Sequence, residues 1–251
     1  MIQAFKMAMK SISGNKFRAF LTMLGIIIGV MALVILVSLV SGATGTVTDT
    51  ISSLGSNLLT VTISDDKGAP VTLDTLNEWM ADPQIGLAAP SATTTATGKY
   101  SSTTKTVTVY GATPAYAPIN GQSVLLGRFL TQADVENHTS VCVITEKTAE
   151  DMVGYTDCLG EEISLDGRKF TIVGIMKNDD ESLTGILTKD NMTAYIPHTT
   201  LMRLSSTVSS TITSFSVSAP ADGNVTTTEA AMKRLLLERF EYDEDAFSLL
   251  S

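Results

Sequence analysis

Residues Phe20 to Val40 form a run of 21 residues without a single charge. Wound as an α-helix, such a run reaches about 31 Å, close to the hydrocarbon thickness of a bilayer. Lys6, Lys10, Lys16 and Arg18 precede it, and no acid occurs before Asp49. Basic residues stay on the cytoplasmic side. The pattern therefore predicts a cytoplasmic amino end and a bulk, residues 41–251, outside the cytoplasm. The competing reading is a cleaved signal peptide, with Ser41-Gly42-Ala43 as the cleavage site. Signal apolar regions run to only about 7–15 residues, so length and flanks favour a retained helix. Within the run, Gly25 and Gly29 lie four apart on one helix face and suit close packing against another helix. Ile2, Phe5, Met9 and Ile12 make an apolar stripe opposite Lys6 and Lys10, which suits a short helix lying on the lipid surface or an extension of the membrane helix.

The rest of the chain is acidic. Without the basic foot, 13 basic residues face 26 acidic ones. Phosphate binding needs a basic patch, so nucleic acid is excluded as a partner. His138 and His198 stand alone with no ligand spacing around them, so no metal site is expected. The chain lacks a GxxxxGK[ST] loop and a GxSxG elbow, and no cofactor is expected. Acidic pairs such as Asp65-Asp66, Glu161-Glu162 and Asp179-Asp180 read as solvated charge, because neighbours on a strand point to opposite faces. No catalytic residue is assigned. The two cysteines, Cys142 and Cys158, could pair in an oxidising compartment or stay as two buried thiols, and spacing does not decide between these.

Leu58–Ile63 alternates with period two and predicts a strand. Thr72 is a fitting N-cap for a helix carrying Leu73, Leu76, Trp79 and Met80, which Pro83 ends. Thr-rich alternation over 87–110 predicts two strands turning at Gly98-Lys99, and 111–122 reads as a junction. A second region begins near Leu125, with a strand at Val141–Thr145, a helix at Glu146–Val153, and strands flanking Asp166-Gly167 as a hairpin. Residues 177–190 read as an exposed polar loop. A further strand is expected at Thr193–Pro197. The chain then returns with a strand at Thr213–Ser218 and a helix reaching about Phe240, buried through Met232, Leu235, Leu236 and Phe240. The pattern is an α+β domain split by an insertion. The expected organisation is a cytoplasmic segment at 1–18, a transmembrane helix at 19–42, a first lobe from 43–120 with 206–251, and an inserted, mainly-β lobe at 121–205.

Several stretches resemble MacB-type ABC-transporter permeases. Asn15-Lys16-Phe17-Arg18-Ala19-Phe20-Leu21-Thr22-Met23-Leu24-Gly25-Ile26-Ile27-Ile28-Gly29-Val30 is similar to their N-K-x-R-[AS]-x-L-T-x-L-G-I-x-I-G-V opening. Ser53-Leu54-Gly55-Ser56-Asn57-Leu58 resembles the entry to their first outer strand, Gly127-Arg128-Phe129-Leu130-Thr131 their G-R-x-[FL]-[ST] step, and Phe170–Ile175 their F-x-[IV]-[IV]-G-[IV] strand. The resemblance implies a two-lobed extracytoplasmic domain, one lobe similar to the porter domains of efflux pumps. It also implies a dimer with a second permease copy, a cytoplasmic ABC ATPase subunit as partner and an extracytoplasmic adaptor. The permease itself is then a non-catalytic membrane subunit. The family's further membrane helices are expected beyond Ser251, from a longer chain or a split gene.

If the basic foot sets the topology, Lys16→Glu combined with Arg18→Glu weakens or inverts insertion. A membrane-impermeant maleimide on a cysteine placed at Ser41 reads the result: labelling of intact cells drops. Unchanged labelling would refute the charge argument.

Overall fold

The computed structural model describes residues 17, 20, 21, 23–32, 34, 58–178, 192–205, 208–221 and 223–250. The chain divides into two compact units, Met1–Asp49 and Thr50–Ser251. In the first unit the described residues are helical and exposed, Phe17, Ile26 and Val30 among them. No helix among the described residues is long and apolar enough to cross a membrane. The expected span 19–42 is thus described only in part, and the surface segment with Lys6, Lys10, Lys16 and Arg18 lies outside the described residues. Gly25 and Gly29 fall on the described helical stretch, where a Cβ on either would meet nothing within 4 Å.

The second unit opens with β1 (Leu58–Ile63), α1 (Leu73–Trp79) and β2 (Ala88–Pro90). The chain next runs through β3 (Ala92–Tyr100), β4 (Thr103–Ala112), α2 (Tyr116–Ile119), β5 (Val124–Gly127) and α3 (Gln132–Glu136). There follow β6 (Val141–Thr145), α4 (Glu146–Thr148, widening into a π turn over Ala149–Val153), β7 (Glu162–Leu165), β8 (Arg168–Met176), β9 (Thr193–Pro197) and α5 (His198–Leu204). It closes with β10 (Ser214–Ser218), α6 (Val225–Arg239) and β11 (Phe247–Leu250).

The first sheet has the order β11-β1-β10-β2, every pair antiparallel. Its core holds Leu59, Val61, Phe215 and Val217 from the strands, Leu76 and Trp79 from α1, and Met232 and Leu236 from α6, followed by Phe240. Alternation explains the strands: Leu59, Val61 and Ile63 are buried while their neighbours are not. Thr72 caps α1 through a reciprocal box with Thr75. The cap of α6 is Asn224, whose side chain accepts the Thr226 amide at 2.9 Å. Thr228 turns inward and donates to the Gln84 carbonyl at 2.8 Å.

The second sheet runs β5-β8-β6-β9-β4-β3-β7, and β7 pairs again with β8. On the edge of β8 away from β6, β7 takes Arg168–Thr171 and β5 takes Gly174–Met176. Six strands, β8-β6-β9-β4-β3-β7, therefore close into a ring, which removes free edges. Inside it lie Val107, Val109, Ile144, Ile163, Leu165, Phe170 and Ile172. The expected first lobe includes 92–112, but β3 and β4 are hydrogen-bonded into this ring. Their turn is expected at Gly98-Lys99. The strand continues through both, and the turn comes at Ser101 and Ser102, with Ser101 at φ 50°. Gly98 is small for another reason: a Cβ there would press on Val107 Cγ2 at 2.6 Å and on Met152. The Asp166-Gly167 hairpin is as expected, with φ of 46° and 82°. Of the polar loop expected at 177–190, residues 179–190 lie outside the described residues.

Two of the family-like stretches meet on the ring's outer side. Gly127 pairs with Gly174, and a Cβ on Gly174 would run into the Arg128 carbonyl. Beside them Arg128 holds the buried Asp134 at 2.6 Å. Thr131 donates to the same carboxylate from its amide at 2.8 Å and its hydroxyl at 2.6 Å, and Thr139 adds a bond at 3.1 Å. Burial alone would raise the Asp134 pKa, but the bonds from Arg128, Thr131 and Thr139 outweigh it and hold the carboxyl well below the usual range. These motifs thus build structure rather than chemistry.

A group whose folded pKa is depressed adds stability above its unfolded pKa, about 3.9, and loses it as pH falls toward the folded value. Asp134→Asn should therefore lower stability at pH 7 and flatten the acid limb below about pH 4, as read by urea unfolding followed by circular dichroism. An acid limb of unchanged slope would contradict this. Gly174→Ala should cost about 3 kcal/mol because backbone must move. Gly167→Ala, in open space at φ 82°, should cost only about 1 kcal/mol. Equal costs would contradict the close approach at Gly174.

Candidate functional site

Two short helices with threonine caps face a common cleft between the two sheets. From the first lobe come α1, with Leu73, Asp74, Leu76, Asn77 and Met80, and the segment Leu87-Ala88. From the second come Thr113-Pro114-Ala115 after β4, Pro118 of α2, Gln132, Val135 and Glu136 of α3, then His138 and Thr199. The cleft encloses about 430 Å³, within the range of small-molecule sites.

Local chemistry fixes each wall. The Thr72 cap and buried Leu76 and Trp79 anchor α1, so Asp74 and Asn77 turn outward. Thr131 and Asp134 form the matching box on α3. Thr199 of α5 donates to the Val135 carbonyl and ties α3 to the ring. Beneath this wall Tyr110 stacks on Tyr195 with ring centroids 5.4 Å apart, and Tyr116 and Phe129 pack on the same ring. Met80 accepts the Ala88 amide through sulfur at 3.2 Å.

The polar groups are few. Asp74 and Glu136 are exposed at the cleft, one on each lobe, and among the described residues neither is ion-paired. Among the described residues Glu136 accepts only from Gln132, at 3.0 Å. Thr113 Oγ1 and His138 Nδ1 are buried and without a hydrogen-bond partner.

Of the histidines and site residues singled out in the sequence, His138 lines the cleft and the others lie elsewhere. Gly25 and Gly29 are in the first unit, and the topology residues Lys6, Lys10, Lys16 and Arg18 are outside the described residues. Cys142 and Cys158 are free thiols buried in the ring's core. Burial pushes the Cys142 thiol up, and Cys158 beside it adds to the shift. Burial raises Cys158 as well. Raised thiols are poor nucleophiles and poor ligands. His198 is buried beside Gly111 and Leu201, and burial lowers its pKa. Among the described residues no group of three metal-ligating side chains comes together. The cleft itself carried no sequence signal, since α1 and α3 are brought to its two walls only by the fold.

The sequence model of the MacB-like periplasmic core domain matches residues 19–235. The macrolide export ATP-binding/permease protein MacB of Neisseria gonorrhoeae is 28% identical over 247 residues, 95% of this chain and 37% of that protein. MacB of Neisseria meningitidis serogroup A is 29% identical over 210 residues, 80% of this chain and 32% of that protein. The chain thus spans about a third of the length of the curated relatives it matches. Among solved structures, the periplasmic region of MacB from Actinobacillus actinomycetemcomitans superposes with a TM-score of 0.65 at 22% identity, covering 80% of this chain and 91% of that one. The extracellular domain of the noncanonic ABC-type transporter YknZ from Gram-positive bacteria gives 0.62 at 19% identity, covering 78% of this chain and all of that one. These two likenesses concern the fold. With the family model matched over most of its length, the chain belongs to the MacB-like ABC permease family through its periplasmic core domain.

Proposed function

We propose that this chain is the membrane-anchored outer part of an ABC-type exporter or mechanotransmission complex. The observation that carries the reading is the family match from residue 19 to 235, which starts at the apolar run and ends in α6. Residues 19–42 form the first membrane helix, with the amino end cytoplasmic and the two-lobed bulk outside the cell membrane. The first lobe corresponds to a porter-like domain, and the inserted ring is its second lobe. A separate ATPase drives the complex, and this subunit performs no catalysis of its own. Two permease copies assemble through membrane helices, with Gly25 and Gly29 at the contact and lipid around them, and an adaptor meets the outer lobes. The substrates belong to the antimicrobial, peptide or lipoprotein classes. The cleft also supports a second reading, a tethered binding module without transport.

Purification from native membranes in mild detergent separates the two readings. The chain should resist carbonate extraction and bring down an ABC ATPase in about equal amount. Membrane retention without an ATPase would leave the binding module. Release by carbonate would overturn both.

A further inference from the structure

We propose that the free tip of the inserted ring binds a phosphate-bearing polyanionic chain, held by Lys99, Lys105 and Arg168. Two neighbouring hairpins, β3-β4 and β7-β8, form this tip. It lies at the opposite end of these strands from the cleft, which Thr113-Pro114-Ala115 border after β4. Lys99 stands about 25 Å from Ala92, where β3 leaves the first lobe, at the rise of an extended strand. The strand registers gather the cations. Lys99 lies beside Ser164, and Ser164 beside Lys169. On the next row Lys105 lies beside Gly98, Gly98 beside Leu165, and Leu165 beside Arg168. Paired residues share a face, and successive rows point to opposite faces. Lys99 and Lys169 therefore project from the outer wall. Lys105 and Arg168 share the row of the buried Gly98 and Leu165 and stand at the rim. All four cations are exposed.

Charge balance sets this tip apart from the rest of an acidic unit. Elsewhere Lys67, Arg128, Lys147, Lys233 and Arg234 each hold a carboxylate. Arg239 donates to the Ala69 and Pro70 carbonyls. Lys99, Lys105 and Arg168 form no ion pair among the described residues. The two carboxylates of the hairpins are engaged otherwise: Glu162 holds Lys169 at 2.8 Å, and Asp166 accepts the Thr97 amide at 2.7 Å. Neighbouring like charges on a sheet repel, and an anion laid across them relieves that repulsion. Thr97, Ser101, Ser102, Thr104 and Thr106 are exposed among the cations, and their hydroxyls donate to phosphate oxygens. The hairpin strands present no exposed large apolar side chain. The nearby Tyr100 and Tyr155 hydroxyls are taken up by Glu161 at 3.3 and 3.4 Å. A protein partner needs apolar anchors, and so does a lipid surface, so the tip favours a hydrophilic polyanion over either. A nucleic acid duplex typically engages about 6–10 phosphates, whereas three unpaired cations suit one flexible chain. The proposal goes beyond the exporter reading and does not depend on it, since binding requires neither ATPase nor transport.

The test uses the full chain in nanodiscs of neutral lipid at pH 7, with end-labelled poly(glycerol phosphate) as the probe. Fluorescence anisotropy is read against empty nanodiscs. The expected result is saturable binding that weakens about twentyfold between about 50 mM and about 200 mM salt, as three contacts on a single chain require. Lys99→Gln, Lys105→Gln and Arg168→Gln combined should weaken binding about tenfold at the lower salt and remove most of the salt dependence. Lys233→Gln with Arg234→Gln, on α6, should leave it unchanged. All five side chains are exposed, so both variants keep their fold, and circular dichroism checks this. Polyglutamate of matched charge should bind more weakly, because a carboxylate offers the hydroxyls fewer oxygens than a phosphate. Absence of saturable binding, binding unchanged in the triple variant, or an equal loss in the α6 variant would overturn the tip as the site. Equal binding of polyglutamate would overturn the phosphate assignment in favour of an acidic polypeptide. Flotation with phosphatidylglycerol vesicles without binding to the polymer would overturn it in favour of a lipid surface. Failure to recover an ATPase from membranes would leave these outcomes untouched.

Discussion

The pairing of β1 with β10 is the contact on which the rest of the outer unit depends. It aligns Leu58–Thr62 with Ser214–Ser218, more than 150 residues later in the chain. The inward residues of that pair, Leu59, Val61, Phe215 and Val217, are fully buried, and α1 and α6 pack over them. Closing so long a loop is entropically costly, and only slowly more so with length. Burial of about 25 cal/mol per Å² of apolar surface on this face opposes that cost. Once the pair forms, the chain leaves at Ser91 and returns at Ser214, whose carbonyl accepts the Ser91 amide at 2.9 Å. The insertion is therefore hung between two adjacent points.

That arrangement explains the cleft. The inserted ring closes on itself through β3, β7 and β8, so its order owes little to the first sheet. The lobes keep separate cores, one around Phe215 and Met232, the other around Phe170 and Ile172. Between two self-sufficient cores the facing surfaces need not fuse, and an apolar cleft with unpaired polar atoms persists. A chain built to transmit movement, or to bind a ligand between moving parts, gains from such a division.

Local signals were legible in the sequence where one residue type meets one backbone requirement. Asp166-Gly167 reads as a tight turn because both residues must adopt positive φ, and they do. Thr72 reads as a cap because a hydroxyl there satisfies an orphan amide. Gly98 misled, because its smallness serves contact with Val107 and Met152, while Ser101 takes the positive φ of the turn. Gly111 misled in the same way: it belongs to β4, where Leu201 leaves no room for a Cβ. The membership of β3 and β4 was not legible, since it is decided by parallel pairing of β4 with β9, some 85 residues on. The stretches that marked the family, around Gly127-Arg128 and Gly174, are packing devices, so they indicated kinship without locating the cleft. Asp74 and Glu136 come to one cleft only through the fold, which sets α1 and α3 on its two walls.

The central claim is that the first lobe is one domain made from two distant segments, independent of what is inserted in it. The most direct measurement replaces residues 92–211 by a short Gly-Ser linker and follows Trp79, the only tryptophan, whose ring packs on Phe215 at 5.8 Å. The account predicts a blue-shifted Trp79 emission and a single cooperative urea transition in the shortened protein. A red-shifted emission without a transition would contradict it, and would mean that the ring holds the first sheet together.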